Sequence, residues 1–256
     1  MQREIIDPYY HSTSDVVLTC YFTLKRDPQA GASPNHKDYV NKNSFDYIYP
    51  WYLTMKDQGL YGIIFYDKLN EEFIEKYQTD KIKFVRVQLG PYSTNDERFY
   101  IYKKYLENSQ CKYKKVLMTD VSDVFIKRNP FDLIEKDDLY IGEDMPQTPL
   151  LGNNPWCVNK ANQLISEGKG NLIIEQDFAK VKLLNAGVIG GKVREIKRFL
   201  TAMCTVFDIL ESKNNNNMMT MHYVLYKNNF AVTSGYPLTS KFKQYEYNTE
   251  AYIIHK

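Results

Sequence analysis

The sequence has no apolar run that approaches the roughly 20 residues needed to cross a bilayer. Its first ten residues, MQREIIDPYY, contain no apolar stretch of the kind that a secretory signal peptide carries. Neither a membrane span nor a signal peptide is therefore expected, and the sequence predicts a cytoplasmic protein.

Cysteine is also sparse. The cysteines form no C-x-x-C pair and lie far apart in the sequence, at Cys20, Cys111, Cys157 and Cys204. This spacing argues against a zinc knuckle and against a disulfide framework. Each thiol is better explained as a small side chain that fills space in the core.

The chain has no marked excess of charge of either sign. Its formal net charge is +2, and basic and acidic residues are mixed along the whole length. Without a basic arm or stripe, nucleic acid is not an expected partner. The sequence also shows no linker and no internal repeat. With 256 residues, 43% of them apolar, it is long enough to bury a sizeable core, which predicts one domain over residues 1–256.

Short apolar runs alternate with helical patterns along the chain. Strands are predicted at residues 15–22, 61–67, 82–87, 115–120, 138–144 and 183–191, and helices at residues 95–108 and 193–210. Asn95 is the expected N-cap of the first of these helices, and the four asparagines at 214–217 are expected to form a loop. Several strands are apolar at consecutive positions, which is typical of a parallel sheet covered on both faces. The pattern predicts an α/β fold with a central, mostly parallel sheet flanked by helices.

Two carboxylates follow a buried strand in the stretch VLMTDVSDVF. Asp120 ends the predicted strand, and in open parallel sheets ligands bind beyond the carboxyl ends of the strands. A carboxylate at that edge is costly unless it is paired, hydrogen-bonded or bound to a cation. Together with Asp123, three positions further on, it suits Mg²⁺ or Mn²⁺ shared with substrate phosphates. The alternative is that Asp120 caps the strand end and Asp123 starts a turn.

Three further positions point to the same kind of ligand. Gly187 interrupts a strand, where glycine is unfavourable unless a ligand must approach the backbone, although a bulge or tight packing explains it equally well. Arg98 opposes the helix dipole near the start of its helix, which suggests an anionic partner or an ion pair with a neighbouring acid. At the chain end, His255 is a candidate metal ligand and Lys256 is a cation beside it.

The ordered series of these motifs resembles a known family. A strand, D-x-x-D with an N-P-F turn, NAGVIGG and a closing HK are similar to nucleotide-sugar-dependent glycosyltransferases of the GT-A fold, which include the glycogenin-like enzymes. The likeness is nearer still to glycosyltransferase-like proteins in which D-P-Q-R-G follows the first strand; residues 27–31 here read D-P-Q-A-G. It extends over residues 15–256 and implies a single Rossmann-like domain of GT-A type.

The resemblance implies a role for each site residue. Asp120 and Asp123 would be the catalytic carboxylates of the metal motif and His255 the third ligand, and an imidazole among carboxylates favours Mn²⁺ over Mg²⁺. Arg98 and Lys256 would neutralise the diphosphate of a nucleotide-sugar donor. The remaining implied contacts are to the base and ribose at Thr19, Cys20 and Tyr21, to the transferred sugar at Asn185 and Gly187, and to the acceptor, as binding or base residues, at Glu143 and Asp144.

The sequence departs from the family pattern at several points. Two residues separate the aspartates of the metal motif where the common form has one, and Ala30 stands where an arginine is expected. Met218 occupies a position that often carries an acid, with Asn217 as the nearest polar residue. The sequence ends directly after Lys256, which is compatible with a domain from a longer polypeptide.

Three functional hypotheses follow. The first is a metal-dependent hexosyl- or pentosyltransferase that moves a sugar to a glycan or another hydroxyl acceptor. The second is a non-catalytic relative that binds a nucleotide or a glycan, motivated by Met218 and Ala30. The third is a phosphohydrolase of the haloacid dehalogenase type, which fits badly because that fold needs its two aspartates one residue apart and early in the chain.

Overall fold

The structure is a computed structural model that describes residues 3–28, 38–145, 147–173, 177–244 and 246–256. In these segments the strands are β1 (Glu4–Ile6), β2 (Asp15–Tyr21), β3 (Gly62–Tyr66), β4 (Ile82–Gln88), β5 (Lys115–Thr119), β6 (Val124–Ile126), β7 (Leu139–Glu143), β8 (Leu184–Lys192), β9 (Val232–Ser234) and β10 (Ile253–His255). The helices are α1 (Phe45–Asp57), α2 (Glu71–Tyr77), α3 (Thr94–Glu107), α4 (Pro155–Ser166), α5 (Gly170–Ile173), α6 (Val193–Leu210) and α7 (Asn217–Lys227). Positions 29–31 of the D-P-Q-A-G stretch lie outside the described residues.

Eight strands form one mixed sheet in the order β1-β4-β3-β2-β5-β8-β7-β9. The strands β4, β3, β2 and β5 run parallel to one another, and β7 runs parallel to β9. By contrast, β8 is antiparallel to both of its neighbours, and β1 is antiparallel to β4. The protein therefore has an α/β fold with a large, mostly parallel mixed sheet flanked by helices, compatible with a Rossmann-like arrangement.

Helices cover both faces of this sheet, which explains the continuous apolar strands. In β2, Val16 and Leu18 pack into the cluster that contains the side chains of α3 and α6. The next residue along, Val17, packs into the opposite cluster, where Trp51 and Met55 of α1 lie. Because consecutive residues of a strand point to opposite faces, a strand buried on both faces must be apolar at both.

The predicted elements are confirmed to within one residue at each end, with local corrections. The N-cap of α3 is Ser93 rather than Asn95, because the Ser93 side chain accepts a hydrogen bond from the backbone N–H of Asp96. The asparagine stretch is not simply a loop, since Asn217 begins α7. The strands β1, β6, β9 and β10 are not predicted by the sequence, because three residues are too few to show a periodicity.

The end of the chain forms a separate two-stranded antiparallel ribbon with β6. The strands β6 and β10 pair antiparallel, with His255 opposite Val124. Lys256 continues this pairing, and its backbone N–H donates to the carbonyl oxygen of Asp123 at 3.0 Å. Ile253 and Ile254 are buried. The ribbon therefore places a histidine from the chain end beside a carboxylate that lies far from it in the sequence.

None of the helices in the described segments combines the length and the apolar character that crossing a membrane requires.

A buried carboxylate connects the first turns of α3 and α7. Asp96 is 1% exposed, and its Oδ2 accepts from the Ser93 hydroxyl at 2.9 Å. The backbone N–H of Asn216 donates to the same carboxylate at 3.3 Å. Burial raises the pKa of Asp96 to about 7, although both hydrogen bonds favour the charged form.

This raised pKa predicts a pH dependence of stability. A carboxyl whose pKa is higher in the folded than in the unfolded protein contributes stability at acid pH and loses it as the pH rises through the folded value. The amide of Asp96→Asn does not ionise. We therefore expect the melting temperature of this variant minus that of the wild type, measured by circular dichroism at the same pH, to increase from pH 5 to pH 8. A constant difference in melting temperature across this range would contradict the prediction.

Candidate metal centre

Three side chains that can bind a metal meet at the end of β5. Asp120 follows β5, Asp123 precedes β6, and His255 ends β10. One ligand atom from each of the three lies within 4.8 Å of the other two. Nε2 of His255 is 3.8 Å from Oδ2 of Asp120 and 3.7 Å from Oδ2 of Asp123. Neighbouring ligands bound at about 2.1 Å to one octahedral ion are about 3 Å apart, so Nε2 of His255 would need to approach each of the two carboxylates by less than an ångström.

Several polar atoms of this group have no partner in the described part of the chain. His255 is 2% exposed, and neither of its ring nitrogens has a hydrogen-bond partner there. Oδ1 of Asp123 is also buried without a partner among the same residues. A buried polar atom left unsatisfied costs about 1–3 kcal/mol. A cation bound between these side chains would engage Nε2 of His255 and the Asp123 carboxylate, so the residues fit a metal ion.

The electrostatics of the group are unbalanced without a cation. Burial raises the pKa of Asp123 to about 8, and the charge of Asp120 acts in the same direction. Burial lowers the pKa of His255 to about 4, which keeps its imidazole neutral and able to bind a metal. For Asp120, burial is the largest effect and opposes ionisation, but the charge of Arg98, the interaction with His255 and the hydrogen bond from Arg98 together outweigh it, so the pKa lies below its usual value. The site therefore combines one compensated carboxylate with one that lacks a positive partner of comparable strength.

Arg98 is the cation that compensates Asp120. Its Nη1 donates to Oδ1 of Asp120, and its Nη2 donates to the carbonyl oxygen of Ala186 at 3.0 Å. Oδ2 of Asp120 therefore remains directed towards His255. The anionic partner of Arg98 in the structure is thus a carboxylate of the protein itself, while its role towards a diphosphate stays a prediction.

Gly187 is required by the close approach of two ligands. A Cβ atom at this position would lie 2.5 Å from Oδ2 of Asp120 and 2.8 Å from Nε2 of His255. Real Cβ atoms do not come so close to other atoms, so any larger residue would displace one of the two side chains. The backbone of Gly187 also accepts a hydrogen bond from the N–H of Asp120 at 2.8 Å. The glycine is thus explained by tight packing of the side chains of Asp120 and His255 against β8.

A cleft opens beside the metal ligands, with about 840 Å³ of space that includes open solvent. Its walls include Cys20, Tyr47, Asn95, Arg98, Tyr102 and Ser122. Burial raises the pKa of Tyr47, and the charges of nearby carboxylates, Asp120 first among them, raise it further. Sequence reasoning missed Tyr47, because a tyrosine in an amphipathic helix looks like an ordinary packing residue.

Of the three predicted contacts in β2, only Cys20 lines this cleft. Its Sγ donates to the hydroxyl of Tyr102 at 3.3 Å. The Thr19 hydroxyl is buried and donates to the carbonyl oxygen of Thr119 at 2.9 Å, and the Tyr21 hydroxyl donates to the carbonyl oxygen of Asn41. These two hydroxyls therefore connect parts of the protein to each other and are not directed into the cleft.

Glu143 and Asp144 lie along the same edge of the sheet. Glu143 ends β7, is paired with Lys182 and accepts from the hydroxyl of Ser234 at 3.1 Å. Asp144 is 9% exposed, and its Oδ2 accepts from the side-chain amide of Asn185 at 2.9 Å. The two predicted acceptor residues therefore differ in solvent exposure, and the carboxylate of Glu143 is the more exposed one.

Two lysines lie near the chain end, and only one was predicted. The Nζ atom of Lys256 lies 4.3 Å from the ring centroid of Phe125, over its face. Lys243, which sequence reasoning missed, has a left-handed backbone with φ of 57° and follows Phe242, whose ring packs on that of His255 at 4.5 Å. The charge of Lys243 lowers the pKa of Asp123 and of His255. The charge of Lys243 therefore reaches Asp123 and His255.

A scan against protein-family models found no match to this sequence, and a search of curated proteins found none either.

The packing at Gly187 generates a test of the metal site. We expect Gly187→Ala to weaken Mn²⁺ binding at least about tenfold, because the added methyl group displaces His255 or Asp120 from its position. Mn²⁺ binding would be measured from the electron paramagnetic resonance signal of the free ion. Gly142→Ala is the matched control, since a Cβ there would lie 3.4 Å from Cγ2 of Thr239, an ordinary contact.

The result is informative only if both variants fold. Circular dichroism spectra and melting curves would verify this. Unchanged Mn²⁺ affinity in folded Gly187→Ala would contradict the assignment of Asp120 and His255 as neighbouring ligands of one ion.

Proposed function

We propose that this protein is a metal-dependent glycosyltransferase of the GT-A fold, which moves a sugar from a nucleotide-diphosphate donor to a glycan or another hydroxyl acceptor. The observation that carries the proposal is the convergence of Asp120, Asp123 and His255 beside a cleft that the two carboxylates line. The motif series that resembles the family predicts this same set of ligands. Asp120 at the carboxyl end of β5 and His255 at the chain end lie close together in the structure, and this proximity supports the resemblance.

The chain's own residues supply the donor site. Asp120, Asp123 and His255 would hold Mn²⁺, which supplies Lewis-acid stabilisation of the charge on the departing diphosphate. Arg98 binds one oxygen of Asp120 and leaves the other directed towards His255, where it would be available to the ion. The cleft next to these ligands would receive the nucleoside, with Tyr47 and Cys20 on its walls.

The transfer needs an acceptor whose hydroxyl group lies next to the anomeric carbon of the donor sugar. The acceptor oxygen forms the new bond to the anomeric carbon, the bond from that carbon to the diphosphate breaks, and its electron pair leaves with the nucleoside diphosphate. Glu143 is the better candidate of the two predicted carboxylates to bind the acceptor or take its proton, because its carboxylate is 37% exposed. Lys182 and Ser234 hold this carboxylate at the sheet edge.

The first turn of α7 favours a second candidate function, that of a non-catalytic binding protein. This turn carries no acidic residue, and Asn217, the polar residue nearest to the expected acid, is only 6% exposed. This observation favours a non-catalytic relative that binds a nucleotide or a glycan. A panel of nucleotide sugars incubated with the protein and Mn²⁺ separates the two, because binding without donor hydrolysis or transfer would favour the non-catalytic protein.

The proposal predicts that turnover depends on Asp120. Asp120→Asn should retain the fold but lower donor hydrolysis about 100-fold or more, because a neutral amide is a poor replacement for a charged ligand and several kcal/mol of charge stabilisation are lost. Chelation by EDTA should have the same effect on the wild type. Asp138→Asn, at the opposite end of β7, is the control. Full activity in Asp120→Asn, or in EDTA, would exclude a metal-dependent transferase.

A second prediction concerns the diphosphate. In the presence of Mn²⁺, we expect UDP or another nucleoside diphosphate to bind more tightly than the corresponding monophosphate, and the gap to shrink without the ion. Lys243→Gln should narrow this gap more than Lys256→Gln does, because the charge of Lys243 reaches the metal ligands whereas Lys256 lies over Phe125. Calorimetry that gave equal affinities for both nucleotides with and without Mn²⁺ would count against a diphosphate at this site.

A further inference from the structure

The strand β8 is irregular next to the metal ligands. Its pairing with β7 shifts between Ile141, which pairs with Ile189, and Gly142, which pairs with Asn185. Residues 186–188 of β8 therefore lie between two registered pairs and form a bulge. Bulges of this kind bend a strand locally and occur often beside functional sites, where they redirect backbone and side-chain groups.

Backbone groups of this bulge contact two residues of the metal site. The carbonyl oxygen of Ala186 accepts from Nη2 of Arg98 at 3.0 Å. The carbonyl oxygen of Gly187 accepts from the backbone N–H of Asp120 at 2.8 Å. The position of the bulge thus sets the position of a metal ligand and of the arginine that orients this ligand.

Two buried polar side chains in turn hold the bulge. Oδ1 of Asn185 accepts from the N–H of Gly187 at 2.7 Å, an Asx-type turn. The Asn185 side-chain amide donates to Oδ2 of Asp144 at 2.9 Å, while Oδ1 of Asp144 accepts from the N–H of Met145 at 2.8 Å. Asn185 is 6% exposed and Asp144 is 9% exposed. Their hydrogen bonds are therefore directed into the protein.

We infer that Asp144 and Asn185 are positioning residues of the metal site, which act through the β8 bulge on Asp120 and Arg98. A continuous chain of hydrogen bonds runs from the Asp144 carboxylate through Asn185 and Gly187 to the backbone of Asp120. The inference rests on the metal site of the proposed function, and it assigns to Asp144 and Asn185 a role other than contact with sugar or acceptor. Residues that orient metal ligands in this way commonly change metal affinity about 10- to 100-fold when they are replaced.

The donor and acceptor roles of the pair allow a reciprocal experiment. Asp144→Ala removes the acceptor that orients Asn185, and Asn185→Asp places two carboxylates against each other. Each change should weaken Mn²⁺ binding about tenfold or more, measured with Mn²⁺ alone by the resonance signal of the free ion. The double variant Asp144→Asn/Asn185→Asp restores one donor and one acceptor in exchanged positions, and it should regain most of the lost affinity.

A second measurement does not depend on the metal. Hydrogen exchange of the Asp120 amide, followed by NMR in metal-free protein, should become faster in Asn185→Asp and return towards the wild-type rate in the double variant, because this amide donates to Gly187 of the bulge. Asp138→Ala is the control, since it also removes a carboxylate of β7's neighbourhood, one that accepts a hydrogen bond from the Thr233 hydroxyl at the opposite end of the strand. It should leave both the Mn²⁺ affinity and the Asp120 amide unchanged.

The outcomes separate this inference from the proposed function. Mn²⁺ affinity and Asp120 exchange that are equal to wild type in both single variants would overturn the inference, as would a double variant no better than Asn185→Asp. If the variants behave as expected but the wild type transfers no sugar from any donor, the inference holds and the glycosyltransferase proposal fails. If Asp144→Asn abolishes transfer while Mn²⁺ affinity in Asp144→Ala is unchanged, Asp144 acts on the substrate and the inference is wrong.

Discussion

The arrangement of the candidate metal ligands depends on the close contact between β8 and the side chains of Asp120 and His255. Gly187 has no side chain, and this absence leaves the space in which the carboxylate and the imidazole lie. The contact also fixes the end of β5, because the N–H of Asp120 donates to the carbonyl oxygen of Gly187. On the other side, the β6–β10 ribbon delivers His255 into the same space. A side chain at position 187 would push apart Asp120 and His255, which follow β5 and end β10, respectively.

Without a cation, this arrangement costs the folded protein free energy. Such a cost is expected of side chains that are arranged to bind a cation. Burial disfavours the charged form of Asp123 and leaves the imidazole of His255 neutral. Both ring nitrogens of this histidine lack a hydrogen-bond partner among the described residues. Folding tolerates these unsatisfied groups because large apolar clusters on both faces of the sheet outweigh them. A bound ion would then stabilise the folded chain by mass action.

Much of the fold, and the meeting of Asp120, Asp123 and His255, could be predicted from the sequence, and the reasons are physical. Strands buried on both faces have continuous apolar runs, and their carboxyl ends indicated Asp120 directly. The runs carry no information on strand direction, so the antiparallel course of β8 and its bulge could not be predicted. The same limit explains Asp144, whose role depends on a contact with Asn185 across two strands. Lys243 escaped prediction because only the folded chain brings it near His255.

The central claim is that one divalent cation binds between β5, β6 and the chain end. Its most direct test is anomalous X-ray diffraction from crystals of the protein soaked with Mn²⁺, recorded on both sides of the manganese absorption edge. The account predicts a single strong anomalous peak within about 2.0–2.2 Å of oxygens of Asp120 and Asp123 and of Nε2 of His255. A crystal with Mn²⁺ bound only elsewhere, or with these three side chains unaltered and no peak between them at saturating Mn²⁺, would contradict it.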